Sequence, residues 1–370
     1  MNDKPILILV NPRSGRGKSV RVLDNFVLPT LESQGIQYEV QMSEALAKVS
    51  RILSEINIPH LDRFKSIMVV SGDGLLYDTV NALMARSDWQ DAMRVPLGIV
   101  PTGSGNGLAF TLLGQQHPHL RPGKEALRVC LQQAIQHESC GSDLVKITYA
   151  KGKKTTWSFL SLGWGLMSDI DVDSDWLRVL GELRFTIYGI VRLFTATSYK
   201  GKLAYLPKVP HRHETNLEPP NEPALAETGD KLDCGENKSS WTHIEDYFAC
   251  LYAVHQSHIS SRTKIAPASS LTDQTIYLTY VRGHLSVAQT LRFLLAIDDG
   301  THGELPFVTV VPVERLIFEP LEQSKVVVDG DKIPWSLEDG PLEAEIVPSV
   351  LNLNWSKNLS TNQLVNRENS

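Results

Sequence analysis

The chain has 370 residues, 42% hydrophobic and 21% charged, and its 36 Lys and Arg against 42 Asp and Glu leave a net charge of −6. At roughly 150 residues per domain that length suggests two domains, and the composition excludes a disordered or fibrous chain. The acidic balance argues against a nucleic-acid partner, and the longest apolar runs, such as Ile6–Val10, fall far short of the ~18 residues that span a bilayer.

Asp3 ahead of that first run and Asn11-Pro12-Arg13 behind it make it read as a strand rather than a secretory leader. Cys130, Cys140, Cys234 and Cys250 show neither CxxC spacing nor disulfide density, so a reduced, cytoplasmic protein without structural zinc is expected.

Taken in chain order, 6–10, 38–41, 67–70 and 97–100 read as strands, the first and third apolar throughout and so buried on both faces. Between them, Leu23, Phe26, Val27 and Leu31 mark one helix, Ile52, Leu53 and Ile56 a second, and Leu75, Leu76, Thr79, Val80, Leu83 and Met84 a third. Strand–helix alternation with short connections predicts a Rossmann-like parallel sheet over 1–140, with its ligand at the carboxyl ends of the strands. From about Asp143 the apolar residues alternate with period two, as in Val145-Ile147-Tyr149 and Ile276-Leu278-Tyr280, which predicts an antiparallel, sandwich-like or curled β domain over 141–355. One helical stretch near 174–197 interrupts it. Residues 207–246 carry five prolines and nine acids against four bases and read as a flexible insertion, and 356–370 as a polar, disordered tail.

Glycine-bearing turns follow three of the four N-terminal strands. In Asn11-Pro12-Arg13-Ser14-Gly15-Arg16-Gly17-Lys18-Ser19, Pro12 occupies the first glycine position of a Walker A loop and Val20 the third of a dinucleotide fingerprint, so it is neither. A basic, glycine-rich anion site at a helix start remains, with an exposed polar loop as the alternative. In Ser71-Gly72-Asp73-Gly74 the flanking glycines clear space around a carboxylate able to accept a hydroxyl proton or help organise a metal; an ordinary Asp-Gly turn is the alternative. In Pro101-Thr102-Gly103-Ser104-Gly105-Asn106-Gly107, glycines and small hydroxyls entering a helix offer a concave set of donors for phosphates. Three such turns on one sheet edge point to nucleotide phosphotransfer, with the acceptor open.

These turns, in this order, resemble the diacylglycerol kinase-like lipid kinases. The stretches 161–171, 180–186, 199–207 and 328–331 extend the resemblance towards the sphingosine kinases across nearly the whole chain, apart from the acidic insertion and the tail. The resemblance implies ATP and Mg2+ in a cleft between two domains. It assigns the nucleotide to Asn11, Pro12, Arg13, Ser43, Asp78, Gly103, Ser104, Gly105, Arg178, Arg184, Asp329, Gly330 and Asp331. Asp78 stands where the family usually has Glu, and the segment after Ser43 lacks the family's basic residues and His. Asp73 is implied as the base that takes the lipid hydroxyl's proton, with Ser71, Gly72 and Gly74 lining the acceptor end. Asp171, in the run Asp169, Asp171, Asp173 and Asp175, is implied as the partner of the long-chain base's ammonium; a solvated acidic surface or a metal site is the alternative.

The resemblance further implies that Ile187, Ile190 and Val191 meet an anionic membrane surface, helped by Arg184, Arg192, Lys200 and Lys202, with a helix packed on the core as the alternative. The expected activity is phosphorylation of sphingosine or a related long-chain base by a cytoplasmic, peripherally membrane-associated enzyme. A ceramide, diacylglycerol or broad lipid kinase is the nearest alternative. A catalytically silent lipid-binding or scaffold protein would need a degraded site, against which Asp73 and the three turns argue. Assembly is left open, a homodimer among the options.

Overall fold

The computed structural model describes residues 4–43, 46–55, 61–136, 138–173, 191, 197–208 and 240–356. The N-terminal strands are β1 (Ile6–Val10), β2 (Tyr38–Met42), β3 (Ser66–Ser71) and β4 (Leu97–Pro101), and they pair in parallel in the order β4-β3-β1-β2. The helices between and after them are α1 (Lys18–Val22), α2 (Leu28–Ser33), α3 (Leu46–Glu55), α4 (Asp73–Met84), α5 (Trp89–Ala92), α6 (Gly107–Gln116) and α7 (Lys124–Ile135). Alternate residues of β1 and β3 point to opposite faces. Ile6, Ile8, Val10, Met68 and Val70 pack with Leu23, Val27 and Leu31, whereas Leu7, Leu9, Ile67 and Val69 pack with Leu53, Leu76, Val80 and Leu83. Helices therefore cover both faces, as the unbroken apolar runs require.

The rest of the chain adds β5 (Ser139–Tyr149), β6 (Lys154–Ser158), β7 (Ser161–Gly165), α8 (Leu166–Asp173), β8 (Tyr199–Pro207), β9 (Thr242–Val254), β10 (Ile276–Arg282) and α9 (Val287–Asp299). It closes with β11 (Thr309–Pro320), β12 (Val326–Val328), β13 (Asp331–Lys332) and β14 (Leu342–Asn354). All pairings among these strands are antiparallel. Strands β9 and β11 are joined through β10 and again through β8, so the sheet closes on itself.

The parallel and antiparallel expectations hold, with three differences. First, the two parts are hydrogen-bonded into one sheet. The long β14 pairs with β5 and β11 at its start and reaches β4 at its end, Leu353 lying beside Leu97. One apolar cluster correspondingly runs from Leu7 and Leu83 to Leu203 and Phe318. Second, residues 242–246, assigned to the flexible insertion, belong to β9 and pair with β8. Their two acids are consecutive and point to opposite sides of the strand, Glu245 towards Lys200 and Asp246 towards Arg282, so charge density alone misplaced the boundary. Third, α9 was not anticipated. Its start carries a capping box, Ser286 with Gln289, and Gly300 closes it at φ +72°.

Candidate functional site

The three glycine turns meet at the carboxyl edge of the parallel sheet. Thr102 donates its backbone N–H to the Ser71 carbonyl at 2.9 Å, extending the β3–β4 ladder past the strand ends. There the backbones touch: a Cβ built on Gly103 would lie 2.3 Å from the Gly72 Cα, so neither turn tolerates a side chain at this contact. The first turn is tied to the third through a buried Ser19 Oγ–Thr102 Oγ1 hydrogen bond of 2.7 Å. Asn11 Oδ1 accepts from the Arg13 N–H at 2.9 Å and shapes the chain leaving β1. Ser43, fully buried, donates its N–H to the Val10 carbonyl at 2.8 Å and so sits beside the same strand end.

Asn106 holds the third turn together. It adopts a left-handed conformation at φ 62°, accepts from the Gly103 N–H at 3.0 Å and donates to the Gly103 carbonyl at 2.9 Å. That latch closes the Gly103-Ser104-Gly105 loop and aims the start of α6 at α4. The Gly107 N–H then donates to Asp73 Oδ2 at 2.9 Å. Burial pushes the Asp73 carboxyl up to about 6, against the backbone donors of Gly107, Leu108 and Asn106 that pull it down. A carboxylate poised near neutrality, held by backbone and open to the cleft, is suited to accept a proton.

The β12–β13 turn brings the C-terminal motif to the same place. A Cβ built on Gly74 would lie 3.6 Å from Asp331 Oδ2, and one built on Gly330 would lie 3.6 Å from Asp171 Oδ2. The turn that begins α4 thus lies beside Asp331, whose charge also reaches Asp78, and the β12–β13 turn lies beside Asp171 of α8. Burial, with the Asp331 charge adding to it, pushes Asp78 up to about 7. Among the described residues no group of three or more His, Cys, Asp or Glu is arranged as a metal cage. Two hard carboxylates nonetheless suit Mg2+, which takes one or two carboxylates together with phosphate oxygens and water.

Asp329, expected to hold nucleotide, has its side chain engaged within the protein. It is 4% exposed and both of its oxygens are occupied. Oδ1 accepts from Ser158 Oγ at 2.6 Å, Leu160 N at 3.0 Å and Ser161 N at 2.8 Å, while Oδ2 accepts from Phe159 N at 2.9 Å. Burial raises this carboxyl to about 7 despite those donors. Its side chain clamps the 158–161 turn and leaves Gly330 and Asp331 to face the cleft.

In the acidic run of α8, Asp169 Oδ2 accepts from the Tyr199 hydroxyl at 2.8 Å, and Asp173 is hydrogen-bonded to Lys325. Asp171 lies between them in sequence, with its Oδ2 beside Gly330. Arg178, Arg184, Ile187 and Ile190 lie outside the described residues. Val191 is helical and 45% exposed. Ser19, Thr102 and Asn106 stand in the glycine turns read from the sequence, but their hydrogen bonds to one another's turns were not foreseen, and Ser158 was not singled out at all. For Asn106 a signal existed, an Asn flanked by glycines at a helix start, whereas a lone Ser in a β-rich stretch carries none.

The chain is similar to known proteins over most of its length. The diacylglycerol kinase catalytic domain model matches residues 5–146. Sphingosine kinase 1 of Homo sapiens is 32% identical over 88% of this chain and 85% of its own length. Sphingosine kinase 1 of Caenorhabditis elegans is 31% identical over 89% and 77%. A solved putative diacylglycerol kinase from Bacillus anthracis str. Sterne superposes with a TM-score of 0.63 at 14% identity, covering 96% of this chain and 98% of that one, which shows the shared fold.

Proposed function

The chain belongs to the sphingosine kinase family, and from that premise we propose that it transfers the γ-phosphoryl group of ATP to the primary hydroxyl of sphingosine or a closely related long-chain base. The observation that carries the reading is Asp73, held by the Gly107 N–H across the cleft from the Asp171–Gly330 corner. The substrate hydroxyl gives its proton to Asp73 and its oxygen forms the new bond to phosphorus. The bond from phosphorus to the bridging oxygen breaks, and ADP leaves with that oxygen. Phosphoryl transfer asks mainly for positioning and charge neutralisation. With the Gly103 and Gly107 N–H groups engaged by Asn106 and Asp73, the segment around Ser104 and Gly105 serves the phosphates together with the basic first turn, and Asp171 pairs with the ammonium that separates a long-chain base from ceramide or diacylglycerol. When bound, Mg2+ would be held by Asp78 and Asp331 and would offset charge on the phosphates.

The reading extends to a cytoplasmic enzyme that meets an anionic membrane surface. In the structure Lys200 and Lys202 project from β8 into cross-strand pairs with Glu245 at 3.6 Å and Glu319 at 3.7 Å. Support for membrane contact therefore rests on the exposed Val191 and not on those two lysines. Among the described residues no helix is long and apolar enough to cross a membrane.

The test is transfer from labelled ATP with Mg2+ to sphingosine, ceramide and diacylglycerol by the wild type and by Asp73→Asn. Label on the long-chain base in wild type, lost in the variant, is expected. Label confined to diacylglycerol would reject the acceptor assignment, and full activity in the variant would reject the base.

A further inference from the structure

A second cleft lies away from the three turns. About 690 Å³ in volume, it opens between α6, residues 117–122, residues 258–264 and the end of α9, and its described lining includes none of Asp73, Asp78, Asp171 and Asp331. Leu113 and Gly114 on its wall stand about 10 Å along α6 from Gly107. Small-molecule sites have volumes of about 300–1,000 Å³, so the cleft is of ligand size. A Cβ on Gly114 would lie 2.9 Å from Cε1 of His258, and its absence lets that imidazole lie against the helix.

The lining is chemically mixed. Phe110, Leu113 and Leu120 form an apolar floor. Exposed charges of both signs surround it, Arg121, Arg262 and Lys264 against Asp298 and Asp299 at the end of α9. Burial lowers His117 and, with the Lys264 charge, pushes His258 down to about 4, so neither imidazole is charged at neutral pH. A plain anion entering here would meet two carboxylates, and a plain cation three bases. A head group with a phosphate and an ammonium on one apolar stem answers both, because guanidinium and ammonium groups bind phosphate oxygens while the carboxylates take the guest's own ammonium.

The segment that walls the cleft also braces the third glycine turn. The Ser261 N–H donates to the Gly105 carbonyl at 2.8 Å, and the His258 N–H to Thr111 Oγ1 of α6 at 3.1 Å. A guest held by Arg262 and Lys264 therefore bears on backbone that reaches Gly105.

We propose that this cleft is a second lipid site, taking an amphiphile whose head carries a phosphate and an ammonium together. Arg121, Arg262 and Lys264 hold the phosphate, Asp298 and Asp299 the ammonium, and Phe110, Leu113 and Leu120 the start of the apolar chain. A long-chain-base phosphate, the product under the reading above, has such a head, and so does an aminophospholipid of a bilayer. Naming the product as occupant rests on the kinase reading; the charges and the floor do not.

The test is equilibrium binding of labelled sphingosine 1-phosphate, below its micelle concentration and without ATP, to the full chain. The double variant Arg121→Glu, Lys264→Glu is expected to weaken one bound equivalent by about tenfold or more, since charge-assisted contacts are the strong ones. Both side chains are exposed, so the fold is spared. Asp299→Asn reads the other sign: it should weaken sphingosine 1-phosphate and tighten ceramide 1-phosphate, which has no ammonium. Displacement of this equivalent by phosphatidylethanolamine in nanodiscs supports the site with a membrane lipid as its occupant, and resistance to it supports the product. Equal binding by wild type and the double variant, displacement by inorganic phosphate at the same concentration, or no change in Asp299→Asn overturns the site. Those failures with transfer to sphingosine intact leave the kinase assignment standing. The expected binding without any transfer keeps the site and removes the product as its occupant.

Discussion

Asp73 and Gly107 begin α4 and α6 on the same sheet edge, and the Gly107 N lies 2.9 Å from Asp73 Oδ2. The carboxylate proposed as the base is thus oriented by backbone of the third glycine turn, so the two elements cannot drift apart independently. Further backbone donors, those of Leu108 and Asn106, act on the same carboxylate. With its carboxyl near 6, Asp73 is ionised at neutral pH but not far below it. The kcat/KM for a long-chain base should therefore fall about tenfold per pH unit below about 6 and be level above the acidic limb. Asp73→Asn keeps an oxygen to accept from Gly107 and should fold normally. It should lose about 10²–10⁴-fold in kcat with little change in KM. A variant with wild-type kcat, or a wild type with no acidic limb, would contradict this role.

Asp329 is expected to behave as a structural clamp and not as a nucleotide ligand. Asp329→Ala leaves one hydroxyl and three backbone N–H donors of residues 158–161 without their acceptor. The loss should reach at least about 3 kcal/mol, given about 1–3 kcal/mol for each buried unsatisfied group. Thermal melting of the nucleotide-free protein reads this directly. A variant that melts like wild type but binds ATP more weakly would assign Asp329 to the nucleotide instead.

Asp78 makes stability depend on pH with a definite sign. Its carboxyl titrates near 7 in the fold against 3.8 as its ordinary value. Between those values the folded state holds the proton that the unfolded chain has released, so stability falls as pH rises and levels off above about 7. Asp78→Asn removes this contribution. Without metal and nucleotide, the melting temperature of the variant relative to wild type should climb from pH 4 to pH 7 and then stay constant. Added Mg2+ and ATP should shrink the difference by favouring the ionised wild-type carboxylate. A pH-independent difference would place Asp78 in an environment unlike the one described here.

Lys200 and Lys202 should matter little for membrane attachment. Each is about half exposed and faces an acid on a neighbouring strand, so the patch has no net positive charge. Two lysines engaged with anionic lipid would contribute about 1 kcal/mol each, or roughly 30-fold together. The double variant Lys200→Gln, Lys202→Gln is expected to change partition onto phosphatidylserine-containing vesicles by less than about threefold at low salt. A loss approaching the larger figure would show that the pairs open at the surface.

What could be read from the sequence follows from short-range chemistry. Ile6–Val10 and Ser66–Ser71 are apolar enough to demand cover on both faces, so the parallel sheet was legible. The turns around Asp73 and Gly103 were legible because a close backbone approach leaves a mark, glycine, that few other requirements produce. The adjacent acids Glu245 and Asp246 and the helix at Val287–Asp299 were misread or missed because surface strands and helices both tolerate such residues.

The opening figures still describe an acidic chain of about two domains' length, but the sequence by itself determined little more than which turns carry the phosphate chemistry and which residue types stand in them. Tertiary structure decided their partners. It occupied both oxygens of Asp329 with the 158–161 turn, engaged Asp169 and Asp173 elsewhere while turning Asp171 to Gly330, and braced Gly105 with Ser261. These contacts join residues from about 30 to about 170 positions apart in the chain, and the composition of one segment carries no information about which distant backbone or hydroxyl will meet it. A carboxylate becomes a clamp, an ammonium partner or a base according to which of its lone pairs the fold leaves facing the cleft, and only the packed structure settles that.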